Sequence, residues 1–449
     1  MKDRSAPRRF ALPLLQATIM ILSLPTLTLP GVSAQTATPR ASPVSGVSVG
    51  PLPPAWLEFG PGGTLIARVI VNGACPEIVL DDLSVTMSAS ATPTEAFPVI
   101  ACEATIPFGV EVATVAGQTL PLPSARLRRI AVIGDTGCRL NDWEKKYQAC
   151  NDPQQWPFAQ IAASVAAWDP DLIVHVGDYL YRESPCPAEG IDCAGSPSGD
   201  NWATWNADFF TPAAQLLGVA PWVFMRGNHE TCERNPAGWF AFLDTRQFQA
   251  ICQQFTEPYV ARMNGLTLAV LDSAEAGDTK VTPEEQSQYK RQFEQLAQTA
   301  PPGSWLVTHR PVWGILEAAK GEFEVENASY QAATGGSLAG DYALVLSGHI
   351  HAAESIAFEQ SSRRPPQVIS GNAGTALDGL PVASPTAGEL GDATVSEAET
   401  LSAFGFLTFE LEPEGENWIV TQRDASGAPQ LDCLLAQSEL DCAPSQASG

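Results

Sequence analysis

Histidine is scarce in this sequence, with five in 449 residues. Four of them, His229, His309, His349 and His351, fall in short polar strings that follow apolar runs, which is not where packing residues usually lie. Basic residues are also few. Lys and Arg number 25 against 50 Asp and Glu, a formal net charge of -25. A nucleic-acid surface needs a basic stripe, and the sequence has none, so no nucleic-acid partner is expected. The acidity itself reads as a solvated surface. No CxxC occurs, which argues against a cysteine metal site. No internal repeat is visible.

What is present first is an export pattern. Lys2, Arg4, Arg8 and Arg9 precede an apolar stretch from Phe10 to about Pro30, and Val32–Ala34 is a small-residue cleavage pattern. Residues 1–34 are therefore expected to be a signal peptide, with cutting before Gln35. Pro13, Gln16 and Pro25 interrupt the stretch and count against a membrane anchor. The expected location is periplasmic, envelope-associated or extracellular, with no membrane partner after cleavage. Ten cysteines agree with export, since an even count in an exported chain reads as disulfides. Pairing near neighbours gives Cys75/Cys102, Cys138/Cys150, Cys186/Cys193, Cys232/Cys252 and Cys433/Cys442, although spacing alone does not fix connectivity.

Residues 35–54 are rich in Pro, Ser, Thr, Ala and Gly and read as a linker. Residues 55–124 carry strand-like runs and turn residues without helical periodicity, so a small N-terminal β domain is expected. From residue 125 to 449 the pattern is α/β. "RRIAVIGDTG", "DLIVHVGDYLY", "APWVFMRGNHE", "GSWLVTHRP" and "YALVLSGHIH" are each a buried strand running into a polar turn. "PFAQIAASVAAWDP" and "TPEEQSQYKRQFEQLAQTA" read as amphipathic helices, the second with Thr282 as N-cap. "AFGFLTFELE" and "NWIVTQRD" read as a closing hairpin, the stretch after Leu380 as a loop, and the last cysteine-bearing segment as a surface tail.

The polar turns supply Asp135, Asp178, Asn228, His309, His349 and His351. Carboxylates can bridge two cations and offset their repulsion, and imidazoles leave coordination positions open, so this set reads as a two-metal site for chemistry at phosphorus. The order GDTG, GDYLY, GNHE, VTHRP, GHIH resembles the calcineurin-like metallophosphoesterases, and most closely the purple acid phosphatases. Gly137 stands where the broad family usually has a histidine ligand, and Tyr181 in GDYLY stands where the purple enzymes supply a tyrosinate. The resemblance covers roughly Arg126 to Gly374. It implies an α/β/β/α sandwich of two sheets behind the N-terminal β domain.

Carried over string by string, the resemblance places one metal on Asp135, Asp178, Tyr181 and His351 and the other on Asp178, Asn228, His309 and His349, with Asp178 shared. It implies two metal ions, Fe(III) with Fe(II), Zn(II) or Mn(II). It also implies hydrolysis of small phosphomonoesters by metal-bound hydroxide, with His229 at the leaving group. A phosphodiesterase on the same metals is the alternative. A non-catalytic binding protein is a third reading, against which the intact ligand set argues. Plainer readings stay open residue by residue. Tyr181 could be a packed tyrosine with Tyr179 as the near-decoy, Asp135 a turn former, Asn228 a loop tie and His229 structural. His175 lies inside a strand and reads as packing; Glu230 reads as orienting His229 or its loop. Arg226 and Arg310 read as phosphate contacts or as salt bridges. The pattern departs from the small purple enzymes at Ala318, where they carry a second substrate histidine; Lys320 is a substitute charge nearby.

Overall fold

The computed structural model describes residues 50–249, 251–319, 322–324, 327–378, 388–390 and 393–444. The expected leader and nearly all of the linker lie outside these residues, as does Lys320. Strand alternation builds the centre. In the Arg129–Ile133 strand, Ile130 and Val132 face one core while Ala131 and Ile133 face another. It pairs in parallel with Leu172–His175, which pairs in parallel with Trp222–Phe224. Strands buried on both faces read as continuous apolar runs, which is why these stretches lack polar alternation. Each buried Val, Leu or Ile contributes roughly 1.5–3 kcal/mol, against roughly 1–2 kcal/mol for fixing its backbone, so such strands are net stabilising.

These strands belong to an 11-stranded sheet, and an 8-stranded sheet stacks on it. In the second sheet Leu266–Val270, Ser304–Val307, Tyr342–Ser347 and Gln367–Ser370 run parallel. Val132, Val174 and Val223 of the first sheet meet Leu268, Trp305, Leu344 and Val368 of the second in one core. Helices close the outer faces. Phe158–Trp168 lays Phe158, Ile161, Ala162 and Val165 on the first sheet, a one-sided spacing, and ends where Asp169 turns left-handed before Pro170. Pro283–Thr299 starts in a capping box, with the Glu285 amide donating to Thr282 Oγ1 at 3.2 Å and the Thr282 amide to Glu285 Oε2 at 2.7 Å. It sets Tyr289, Phe293 and Leu296 on the second sheet. The layers are α/β/β/α, as expected.

An N-terminal β region precedes this sandwich and shares its first sheet. Trp56–Phe59 pairs in parallel with Trp222–Phe224 and antiparallel with Leu65–Val71, which pairs with Ile100–Ile106. The region also has a four-stranded sheet of its own around Ile78, Leu80, Ala113 and Val115. The expected C-terminal hairpin forms, Gly405–Leu411 with Trp418–Asp424, and joins Arg129–Ile133. The last cysteine-bearing segment departs from the surface-tail expectation. Pro429–Ala436 and Glu439–Pro444 extend the first sheet, because Cys433, Leu435 and Leu440 turn inward onto its core. The stretch after Leu380 also adds strands, Gly388–Leu390 and Ala393–Leu401, to the second sheet. All five anticipated cysteine pairs are disulfides. Among the described residues no helix is long and apolar enough to cross a membrane.

Candidate metal centre

The parallel strands of both sheets end at one edge of the sandwich, and the polar strings follow directly. Rigid strands with converging loops hold short side chains close together. Three of those side chains sit on left-handed backbone: Asp135 at φ 57°, Asp178 at φ 60° and His349 at φ 73°. Non-glycine residues adopt this conformation at a cost, and such strain gathers at functional sites. Glycine permits the close approach. A Cβ on Gly227 would lie 2.0 Å from Asp178 Oδ1, and one on Gly348 would lie 2.5 Å from Asp135 Oδ2.

The Tyr181 hydroxyl is the hub of one half. It lies 2.8 Å from Asp178 Oδ2, 2.9 Å from Asp135 Oδ1 and 3.0 Å from His351 Nε2. In the other half, His309 Nε2 lies 2.9 Å from Asn228 Oδ1 and 3.2 Å from Asp178 Oδ2. Asp178 Oδ2 thus belongs to both halves. Potential ligand atoms of Asp178, His309 and His349 all lie within 4.8 Å of one another. The structure therefore brings together Asp135, Asp178, Tyr181, Asn228, His309, His349 and His351, with His229 beside them.

The donor set fits cations. His309 Nδ1 lies 2.8 Å from the Val176 carbonyl, which can only accept, so Nδ1 carries a proton. In the neutral imidazole, Nε2 then aims a lone pair at a carboxylate oxygen and an amide oxygen. Around Tyr181, one hydroxyl proton faces three acceptors. Acceptors facing acceptors in a buried space need a shared positive charge. Burial, and then the Asp178 charge, push the Asp135 carboxyl well above its ordinary range. Burial alone would raise Asp178 as well, but the facing His309 and His229 imidazoles hold it well below. Burial, and then the two carboxylates, push Tyr181 up. The centre is a buried cluster of oxygen and nitrogen donors that could hold a metal ion.

A second ring of residues fixes the first. His351 Nδ1 is 3.5 Å from Asp378 Oδ2, whose carboxylate also accepts the His351 amide at 3.0 Å. Such carboxylate–histidine pairs set the tautomer that leaves Nε2 free to ligate. His229 Nδ1 lies 3.2 Å from Glu183 Oε1, and its ring lies against Tyr181 with centroids 3.7 Å apart. Burial, and then Arg234, push His229 down to about 4. His349 Nε2 lies 3.3 Å from Asp278 and 3.1 Å from Arg310 Nη1; burial, and then Arg310, push it down to about 4. Arg310 also pairs with Asp278 at the rim.

The remaining assignments divide. Glu230 ties loops: its carboxylate accepts the amides of Tyr179, Leu180 and Gly227. Burial, and then Asp178, raise it to about 8. Arg226 is the bland case, fully buried between Asp272, Glu275 and the Gln253 carbonyl. His175 is packed, stacked on Tyr179 at 3.9 Å and 3.1 Å from Thr136 Oγ1. Tyr179 is also buried and donates its hydroxyl to the Met225 carbonyl, away from the centre. Ala318 lies in a short strand, Leu316–Ala319. Sequence reading missed Glu183, Asp278 and Asp378. Glu183 could have been noticed two residues past Tyr181; the other two lie in loops without a motif.

Residues 128–353 match the family model of the calcineurin-like phosphoesterases. The chain belongs to this family. It is accordingly a metallophosphoesterase, and members of this superfamily hold dinuclear metals. Solved structures that share its fold include the following two. One is the purple acid phosphatase PPD1 from yellow lupin (Lupinus luteus) seeds, at 13% identity and TM-score 0.52, covering 87% of this chain and 74% of that one. The other is a structure of PhoD, at 11% identity and TM-score 0.53, covering 88% of this chain and 92% of that one. No curated protein matches the sequence.

Proposed function

We propose that this metallophosphoesterase is an exported phosphomonoesterase of the purple acid phosphatase kind. The observation that carries the reading is the Tyr181 hydroxyl packed among Asp135, Asp178 and His351. In this reading Asp135, Asp178, Tyr181 and His351 hold Fe(III), and Asp178, Asn228, His309 and His349 hold a divalent ion. Tyrosinate is a hard oxygen donor of the kind that favours Fe(III). When bound, the pair would polarise phosphoryl oxygens and lower the pKa of water at the site.

The chain's own residues do the rest. Asp178 stands between the two halves and holds them in register. Glu183 fixes His229 through Nδ1, which leaves Nε2 on the Asp178 side, 3.8 Å from Oδ2. From there the imidazolium form of the ring, its charge balanced by the Glu183 carboxylate, passes the Nε2 proton to the leaving oxygen. Five disulfides support export into an oxidising compartment. A phosphodiesterase reading is favoured by one observation: the five histidines provide no second donor beside His229 in the loop that follows His309.

The test is metal analysis and spectroscopy with an ester panel. Purified protein is expected to contain iron, to show a visible tyrosinate band, and to lose that band in Tyr181→Phe. Phenyl phosphate turnover is expected to exceed bis(p-nitrophenyl) phosphate turnover and to vanish in Asp178→Asn. A colourless active protein would sink the Fe(III) assignment. Faster diester turnover would sink the monoester assignment, and a metal-loaded protein that cleaves neither ester would sink the enzyme reading.

A further inference from the structure

Ten of the eleven tryptophans are buried or half-buried. Trp143 is 97% exposed. It stands in the turn of a short hairpin, Leu140–Asn141 with Lys146–Tyr147, inside the loop closed by Cys138–Cys150. Isolated exposed hydrophobics are ordinary, so exposure alone means little. Trp143 differs from such residues in its setting.

The turn is held rigidly. Asn141 Oδ1 accepts the amides of Trp143 at 2.8 Å and Glu144 at 3.0 Å. The Asp142 amide donates to Ser184 Oγ at 3.0 Å, the Tyr147 hydroxyl donates to Asp142, and Arg139 pairs with Glu144 at 3.0 Å. The turn is also tied to the centre. Asn141 Nδ2 donates to Glu183 Oε2 at 2.7 Å, and Glu183 Oε1 meets His229 Nδ1 at 3.2 Å. Two side chains therefore link the tryptophan turn to the proposed proton donor. Beneath the turn, the Arg139 guanidinium lies 5.0 Å from the centre of the Tyr181 ring. A second disulfide loop, Cys186–Cys193, adjoins this one through the Asn151 amide and the Asp192 carbonyl at 3.0 Å, and it presents Ile191 at 80% exposure.

We infer that Trp143 is a specificity residue that stacks on a planar aromatic leaving group, so that aromatic esters of phosphate are the preferred substrate class. The inference rests on the reading of His229 as the group nearest the leaving oxygen. A substituent on that oxygen leaves the centre on the His229 side, the side to which Asn141 and Glu183 tie the Trp143 turn. A flat π-face stacks on an indole with little sequence or shape restriction. Rigid presentation lowers the ordering cost of that contact. Charge at the tip does not select an anion, because Lys145 and Lys146 face Asp142 and Glu144.

The experiment is calorimetric binding of two non-hydrolysable probes, 1-naphthylphosphonate and methylphosphonate, to the metal-loaded full chain. Wild type is expected to favour the naphthyl probe. Trp143→Ala should cut that preference about tenfold, and Trp143→Phe should restore most of it. An unchanged preference in Trp143→Ala, or an equal weakening of both probes, overturns the inference while leaving the phosphoesterase reading intact. Failure of wild type to bind either phosphonate overturns both.

Discussion

One hydroxyl does more to set the character of this centre than any histidine. Tyr181 reaches the carboxylates of Asp135 and Asp178 because its backbone passes directly beneath Gly137. A Cβ at position 137 would lie 2.6 Å from the Tyr179 carbonyl and 2.8 Å from the Tyr181 amide. A histidine ligand at 137 and a tyrosine at 181 are thus alternatives on this backbone: the first would need the space that the second's main chain fills. Gly137→Ala is expected to destabilise the fold by about 1–3 kcal/mol, as overpacking does in a filled site, and to lower iron content as the Tyr181 segment is displaced. Denaturant unfolding with metal analysis checks both; wild-type values for both would show that the segment gives way freely. The strings themselves were legible because each puts a chemically rare residue at the end of an apolar run. Glu183, Asp278 and Asp378 were not, since a carboxylate in a loop gains its meaning from the imidazole that the fold brings to it.

At the level of elements, legibility followed periodicity. Ile130, Val132 and the runs in the neighbouring strands announce strands buried on both faces, and Thr282 with Glu285 announces a helix start. Pairing across long separations did not show. Trp56–Phe59 falls in the stretch read as a separate β domain, yet one of its two partners is Trp222–Phe224, far along the chain. The Cys433–Cys442 segment reads as a surface tail, because its apolar run is short and the core that Cys433, Leu435 and Leu440 face is built by other strands. The Pro283–Thr299 helix packs Tyr289, Phe293 and Leu296 on the second sheet and supplies none of the site side chains, so its cap is expected to bear on stability and not on chemistry. Removing the cap oxygen in Thr282→Ala leaves the Glu285 amide without its side-chain acceptor. The expected loss is about 1 kcal/mol in unfolding free energy. Phenyl phosphate kcat and KM should stay at wild-type values, and a fall in kcat would mean that this helix carries strain to the centre.

Across the whole molecule, the N-terminal β region is fastened to the sandwich by a buried charge cluster. Arg68 Nε meets Glu58 Oε1 at 2.5 Å, Nη1 donates to the Phe242 carbonyl at 2.7 Å, and Nη2 reaches the Asp244 carbonyl at 2.5 Å. Glu58 and Arg68 come from paired strands of the N-terminal region, while Phe242 and Asp244 close the Pro236–Phe242 helix of the sandwich. Such clusters hold position at the expense of desolvation. Burial outweighs the attraction of Arg68 and holds the Glu58 carboxyl at about 7, against 4.5 when unfolded. The folded chain then binds this proton more tightly than the unfolded one. The stability Glu58 contributes is whole below pH 4.5 and is lost as pH rises through 7. Glu58→Gln stays neutral at every pH and removes only this dependence. The unfolding free energy of wild type minus that of the variant should therefore fall by roughly 3 kcal/mol between about pH 4.5 and pH 8. Denaturant titrations at each pH measure it. A flat difference would mean that Arg68 keeps Glu58 ionised throughout, and that the two halves of the first sheet are joined by a permanent ion pair, not by a shared proton.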